Sequence, residues 1–265
     1  MKLAIIGTGN MGKAILAGIL AEGIFDSKDI NVCDVRKEAV DSVCEKYGTN
    51  GFTEAAKAVE GCDYVLMAVK PIHFDAALSS LKDSLKAGVI VLSIAAAVKC
   101  ERIKGILGEG VKFVRIMPNT PAMINMAVAT VCSKNKNSKY YSQAIDILNS
   151  IGKCYEIDEK YMDATVPLNG SMPAYLELFA KAFIDKAIRD GIDPDVAKKL
   201  VCESIISSAN LILKSDEPIE QLIKNVCSKG GTTLAGLDKL YEYNFEKAIY
   251  ECSEACKNRS SELKR

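Results

Sequence analysis

Leu3-Ala4-Ile5-Ile6-Gly7-Thr8-Gly9-Asn10-Met11-Gly12-Lys13-Ala14-Ile15-Leu16-Ala17-Gly18-Ile19-Leu20 is the stretch that decides the fold. Its first four residues are an uninterrupted apolar run, the pattern of a parallel strand covered on both faces. Gly7 to Gly12 then spell G-x-G-x-x-G, and Ile15, Leu16, Ile19 and Leu20 recur at helical spacing. Each part of this strand, turn and helix has a physical task. Gly7 permits a tight turn, Gly9 lets a pyrophosphate reach the backbone, and Gly12 lets helix and strand lie close together. The helix start offers unpaired N–H groups and partial positive charge to an anion. An acid, Asp34, follows Gly12 by 22 residues after a second strand-like run, Ile30-Asn31-Val32-Cys33. That context predicts a dinucleotide site on Ile6, Gly7, Thr8, Gly9, Asn10, Met11, Gly12 and Asp34, rather than an ordinary strand-to-helix turn.

Moving outward, a helix is expected over Lys37–Tyr47, stopped by Gly48, and a short one over Glu54–Glu60. Gly51-Phe52-Thr53 is too short to assign. Buried strands are expected at Asp63–Val69, Val89–Ile94 and Val111–Ile116, with closing strands at Ala127–Cys132 and Lys153–Ile157. Helices over Glu101–Leu107 and Tyr141–Ile151 separate them. This alternation means a mostly parallel, doubly wound sheet of Rossmann type. From Asp158 onward no strand is expected. Helical periodicity runs over Ala174–Asp190, Ala197–Lys214, Ile219–Asn225 and Thr232 to about Leu263, with Asp193-Pro194 as a helix start. The expected domains are residues 1–157, binding a dinucleotide, and residues 158–265, all helical. Apolar Leu176, Phe179, Phe183, Leu200, Ile205 and Leu211 in the second half predict burial against another subunit.

Composition narrows the function classes. The 265 residues carry 34 basic and 34 acidic side chains, so nothing points to a nucleic-acid or membrane surface. No apolar run reaches the length of a membrane span, and a strand beginning at Leu3 leaves no room for a signal peptide ahead of it. Ten cysteines stand singly, with no C-x-x-C, and His73 is the one histidine. Mostly buried thiols in a reducing, cytoplasmic compartment are expected, and no metal site.

Five further stretches are distinctive: Ala68-Val69-Lys70-Pro71, Ser93-Ile94-Ala95-Ala96-Ala97-Val98, Arg115-Ile116-Met117-Pro118-Asn119-Thr120-Pro121-Ala122, Asn169-Gly170-Ser171-Met172-Pro173-Ala174-Tyr175 and Ser228-Lys229-Gly230-Gly231-Thr232-Thr233-Leu234-Ala235-Gly236-Leu237. In this order they resemble the motifs of pyrroline-5-carboxylate reductases, from Leu3 to about Leu263. The resemblance implies an oxidoreductase that reduces Δ1-pyrroline-5-carboxylate to L-proline with NADH or NADPH. It also implies a Rossmann domain followed by a helical dimerisation domain, in homodimers that often assemble further. By the same resemblance Ala68, Val69, Lys70, Pro71, Ile94, Ala95 and Ala96 line the nicotinamide and ribose, and Asn225 contacts the cofactor. Glu159, Ser228, Gly230, Gly231, Thr232 and Thr233 bind substrate, and the Thr233 hydroxyl stands near the ring nitrogen as the catalytic group. The Ser228–Thr233 loop of one subunit is implied to reach the nicotinamide held by the other. Arg36, two residues past Asp34, offers a guanidinium to a cofactor 2′-phosphate.

Plainer readings stand beside these. Ser228–Thr233 could be a helix cap, Glu159 a solvated acid at a helix start, and Lys70-Pro71 a strand terminator. The sequence departs from the usual family pattern at Ala55, Asn125, Asn169, Met172 and Lys229, which commonly appear there as Asn, Gly, Ser, Gly or Ser, and Pro. A non-catalytic dinucleotide-binding paralogue and a related imine or 3-hydroxyacid oxidoreductase are the alternatives. The latter would want a lysine on the first long helix, where Lys181 and Lys186 stand.

Overall fold

The computed structural model describes residues 1–133 and 139–262. The chain alternates strands and helices: β1 (Leu3–Ile6), α1 (Asn10–Ala21), β2 (Ile30–Cys33), α2 (Lys37–Tyr47), β3 (Asn50–Phe52), α3 (Ala55–Val59), β4 (Tyr64–Met67) and α4 (Phe74–Leu81). It continues through β5 (Ile90–Ser93), α5 (Cys100–Leu107), β6 (Lys112–Met117), β7 (Ala127–Cys132), α6 (Lys139–Asn149) and β8 (Gly152–Glu156). Five helices complete it: α7 (Met172–Arg189), α8 (Pro194–Lys214), α9 (Ile219–Val226), α10 (Thr232–Glu242) and α11 (Phe245–Glu262).

The eight strands form one sheet in the order β3-β2-β1-β4-β5-β6-β7-β8, parallel throughout except where β7 runs against β6. The order reverses between β1 and β4, the crevice where doubly wound sheets hold ligands. Side-chain alternation in β1 feeds both faces. Leu3 and Ile5 join a core with Ile15, Leu16 and Ile19 of α1, while Ala4 and Ile6 join Phe74, Leu78 and Leu81 of α4. All four β1 residues are buried, and each large apolar side chain contributes about 1.5–3 kcal/mol. This is why the first strand reads as an unbroken apolar run.

The chain divides into two compact units, residues 1–173 with 256–265, and residues 174–255. The change of residue pattern at 157/158 marks the end of the last strand, yet the first unit continues to Pro173. Met162 is fully buried among Cys100, Met117 and Cys132, and the Asn169 amide donates to the carbonyls of Met117 and Val128. The second unit has almost no interior of its own: α7, α9 and α10 contain no buried residue, and α8 buries only Ala197. Leu176, Phe183, Leu200 and Leu211 are each roughly half exposed in the single chain.

The structure corrects three expectations. The segment left unassigned at Gly51-Phe52-Thr53 belongs to an edge strand, β3, over which α2 packs so closely that a Cβ on Gly51 would meet Val40 and Cys44 within 3 Å. The single helix expected from Thr232 to about Leu263 is two, α10 and α11. Asn244 stands between them at φ 54°, a left-handed conformation that Asn tolerates better than most residues. Residue 263 itself lies outside the described residues. The cysteines are not mostly buried: Cys33, Cys62, Cys100 and Cys132 are, and the other six are partly exposed. Among the described residues no helix is long and apolar enough to cross a membrane.

Ala97, in the connection after β5, is buried and also left-handed at φ 62°. A β-branched side chain there meets the strained backbone at a position already 5% exposed. Ala97→Val is therefore expected to lose about 2 kcal/mol or more. Ala97→Gly should stay within about 1 kcal/mol of the parent, because relief of strain offsets the lost methyl burial and the added freedom of the unfolded chain. Urea denaturation of the three proteins checks the order.

Candidate functional site

The candidate nucleotide turn begins where β1 ends. Gly7 adopts φ 105°, and a Cβ on it would lie 2.7 Å from the Ala68 carbonyl oxygen at the end of β4. A Cβ on Gly12 would be driven into the Gly7 carbonyl, with Ala68 Cβ close behind. Gly9 differs. Nothing lies within 4 Å of its virtual Cβ, and it caps α1 without any side-chain hydrogen bond. Two glycines are thus needed to close the fold, while the third leaves open space before a helix N-terminus whose N–H groups point outward.

Asp34 anchors this turn from β2. One carboxylate oxygen accepts from the Thr8 N–H at 3.1 Å and the Thr8 hydroxyl at 2.9 Å. The other accepts from the Arg36 N–H at 3.1 Å and its guanidinium at 3.4 Å. Partial burial pushes the carboxyl up, but the hydrogen bonds from Arg36 and Thr8 outweigh it and hold its pKa below the ordinary value. Asp34 is therefore ionised and fixed beside Thr8, with Arg36 reaching outward. Ala68, Val69, Lys70 and Pro71 leave β4 next to Gly7, and Ile94, Ala95 and Ala96 leave the neighbouring β5, where the Ile94 N–H donates to the Met67 carbonyl. Ile6 closes β1, and Asn10 and Met11 begin α1. The cofactor candidates other than Asn225 thus converge at the carboxyl ends of β1, β2, β4 and β5, all in the first unit.

Glu159 is not simply a solvated acid. It follows β8 in a short turn, and its Oε1 accepts from the Cys100 N–H at 2.6 Å and from Arg115 at 3.1 Å. Burial again raises the carboxyl, but these donors and the guanidinium charge more than offset it, and the pKa is lowered. Arg115 is the residue that the sequence reading passed over. It lies in β6 with its side chain 2% exposed and has Asp163 at 3.9 Å as a second acidic neighbour. Its signal was a charge inside the otherwise apolar run Phe113-Val114-Arg115-Ile116-Met117. Beside it the Cys100 thiol is held protonated by the adjacent Cys132 sulfur and by burial.

The remaining candidates belong to the second unit. Gly230 is left-handed at φ 71°, the Gly231 N–H donates to the Ser228 carbonyl at 2.9 Å, and a Cβ on Gly231 would collide with the Ser228 hydroxyl. Gly231 is the N-cap of α10, and no side chain caps that helix. Ser228 and Thr232 are exposed and Thr233 is partly so. The stretch thus does contain the cap of α10, at Gly231, a residue with no side chain to bond the first N–H groups. Asn225 is held within its own unit, donating to Glu217 at 2.8 Å and accepting from Gln221 at 2.8 Å.

Residues 159–263 match the family described as pyrroline-5-carboxylate reductase dimerisation, and residues 2–97 match NADP oxidoreductase, coenzyme F420-dependent. Pyrroline-5-carboxylate reductase of Escherichia coli K12 is 32% identical over 263 residues, 99% of this chain and 98% of that one. The Staphylococcus aureus COL enzyme of the same name is 32% identical over 265 residues, with the same shares covered. The chain belongs to the pyrroline-5-carboxylate reductase family. Among solved structures, Plasmodium falciparum pyrroline carboxylate reductase with NADP bound superposes with a TM-score of 0.91 at 28% identity, covering 100% of this chain and 98% of that one. A 3-hydroxyisobutyrate dehydrogenase from Mycobacterium tuberculosis, at 14% identity and a TM-score of 0.54, shares the fold alone. The lysines that such chemistry would require, Lys181 and Lys186, are exposed and paired one turn on with Asp185 and Asp190.

Membership gives two sequence departures a physical sense. Asn125, where Gly is usual, is left-handed at φ 56°, so the position needs Gly or a residue that tolerates this conformation. Asn169, where Ser is usual, spends its amide on the Met117 and Val128 carbonyls.

The unequal surroundings of the glycines give a direct test. Gly12→Ala is expected to cost about 1–3 kcal/mol in chemical denaturation, whereas Gly9→Ala should stay within about 0.5 kcal/mol of the parent.

Proposed function

We propose that the protein reduces Δ1-pyrroline-5-carboxylate to L-proline, an oxidoreductase step of proline biosynthesis, using NADPH or NADH. The observation that carries this reading is a full-length relationship to reductases of that name. The open Gly9 beside two closed glycines supports the cofactor assignment, since the uncapped α1 start and the vacant space before Gly9 fit a pyrophosphate. Bound reduced nicotinamide supplies the hydride. The chain's own part is mainly binding and orientation. The amides from Gly9 to Gly12 hold the pyrophosphate, and Asp34 meets the adenosine ribose. Ala68–Pro71 and Ile94–Ala96 line the nicotinamide side, with Asn225 as a further cofactor contact.

The substrate is a cyclic imine with a carboxylate. Its protonated C=N is already electrophilic, so no strong acid is required, only alignment of the accepting carbon. Ser228 and Thr232 offer hydroxyls and the turn through Gly230 and Gly231 brings backbone N–H groups at the start of α10 toward the carboxylate, and Glu159 adds a fixed anion for the cationic ring. Thr233 is the hydroxyl assigned to the ring nitrogen, where it orients the N–H. In this reading residues 1–157 bind the dinucleotide, and residues 158–265 supply substrate contacts and a homodimer interface, which further assembly can build upon. The exposed apolar residues of the helical unit support the dimer. Balanced charge and scattered cysteines support a cytoplasmic protein without nucleic-acid or membrane partners.

Asp34 accepts hydrogen bonds and repels a 2′-phosphate, while exposed Arg36 and Lys37 attract one. The balance leans mildly to NADH. The kcat/KM ratio of NADPH to NADH is expected below about tenfold, or roughly 1.4 kcal/mol; a larger preference for NADPH would overturn this role of Asp34.

Complementation tests the site as a whole. Gly9→Asp should abolish cofactor binding without unfolding the chain, and Thr233→Val should remove the hydroxyl beside the imine. If the Ser228–Thr233 loop serves the partner's cofactor, each homodimer is nearly inactive. A mixed dimer then gathers both lesions into one site and leaves the other intact. Random pairing makes about half the dimers mixed with half their sites working, so co-refolded mixtures should regain about a quarter of the parent activity. Confirmed mixed dimers that stay inactive would exclude the shared site, and full activity of Thr233→Val would remove that threonine from the mechanism.

A further inference from the structure

Cys100 at the start of α5 and Cys132 at the end of β7 are distant in sequence, and neither was read as a ligand. Folding brings their Sγ atoms to 3.7 Å, with both residues buried, at 1% and 3% exposure. The Glu159 carboxylate joins them, and the three donor atoms all lie within 4.8 Å of one another. A separation of 3.7 Å is far beyond the S–S bond of about 2.05 Å. It is close to the span of two thiolates on one tetrahedral zinc ion, about 3.8 Å for Zn–S bonds of about 2.3 Å.

The surroundings also fit a cation. The Glu159 carboxylate is held by the Cys100 N–H and the buried Arg115 guanidinium, the kind of outer hydrogen bonding that orients a metal-binding carboxylate. Two thiolates with the Glu159 and Asp163 carboxylates outweigh the one guanidinium, and a divalent cation reduces that excess of negative charge. The cysteines are shut away, but the Glu159 side chain is 33% exposed, so ion and water can enter from its side.

We infer that Cys100, Cys132 and Glu159 form a three-ligand site for a thiophilic divalent cation of the zinc class, with its fourth position open to water. Binding releases the two thiol protons to solvent and needs no oxidant. The scattered spacing of the cysteines hid this site, because the ligands come from three separate elements of the first unit.

The test uses the reduced full-length chain, with zinc measured by competition against a chromophoric chelator and cobalt as a spectroscopic stand-in. The parent should bind one equivalent and give thiolate-to-cobalt charge-transfer absorption. Cys100→Ser and Cys132→Ser should each weaken binding by about tenfold or more, while Cys227→Ser should retain it. Equal binding by the Cys100→Ser/Cys132→Ser double variant and the parent would overturn the site and mark the metal as adventitious on other thiols. Should the serine variants misfold, the parent alone still decides. Absence of thiolate-to-cobalt absorption at one equivalent overturns the proposal.

Discussion

The contact on which the first unit depends is backbone against backbone, where the start of α1 meets the turn leaving β1. Gly12 sits so close to the Gly7 carbonyl that no side chain fits, and Gly7 in turn lies under the Ala68 carbonyl at the end of β4. These two approaches bring β1, α1 and β4 to one point at the reversal of strand order. They fix the direction of the α1 N-terminus, and through Thr8 they fix Asp34 as well. The consequence is a division of labour within one motif. Gly7 and Gly12 are constrained by the fold, which leaves Gly9 as the glycine whose missing side chain serves only the space outside.

A second constraint is electrostatic. Arg115 is a cation in a central strand, and a buried guanidinium is strongly unfavourable unless acids and hydrogen bonds compensate it. Glu159 does so at 3.1 Å and Asp163 lies at 3.9 Å, both on the segment after β8. That segment is thereby tied to the sheet unit together with Met162 and Asn169, which is why the unit extends to Pro173. Removing Arg115 leaves both carboxylates without their cation, and removing Glu159 leaves the guanidinium only the more distant Asp163, so the tie specifies where Glu159 stands more than it adds net stability. A carboxylate positioned this firmly is suited to meeting a cation, be it a protonated imine or a metal.

Much of this was legible because local patterns carry it. Apolar runs at β1, β4 and β5 reflect burial on both faces, and Gly48 ends α2 in a left-handed turn at φ 71°. β3 was illegible because it has three residues, two of them Asn and Gly, and its stability comes from pairing with β2 and from α2 above it. The break at Asn244 was illegible because Asn is acceptable within a helix and marks a left-handed turn only by context. The nucleotide turn could be read in detail, since its chemistry lies in consecutive residues. The Arg115, Glu159, Cys100 and Cys132 cluster could not, since its members are separated by many residues and meet only through the sheet.

The two units also differ in how they can be stable. The sheet unit buries both faces of its inner strands β1, β4 and β5 and so has a core of its own, although Ile72, Met123, Ile124 and Leu168 at its surface are exposed. In the helical unit Leu200, Leu211 and Leu213 are 59%, 55% and 77% exposed, and α7, α9 and α10 bury nothing. The N-cap of α10 is Gly231, which has no side chain to bond the first N–H groups of the helix and gives its own N–H to the Ser228 carbonyl. A helical surface this apolar exceeds what scattered surface residues explain and is characteristic of an interface. Ser228–Gly231 lie between α9 and α10, and Thr232 and Thr233 open α10, within this same exposed unit, so association would order the unit that carries the loop. A lesion in the apolar faces of α7 or α8 should weaken association of the proposed dimer while leaving the core of the sheet unit intact.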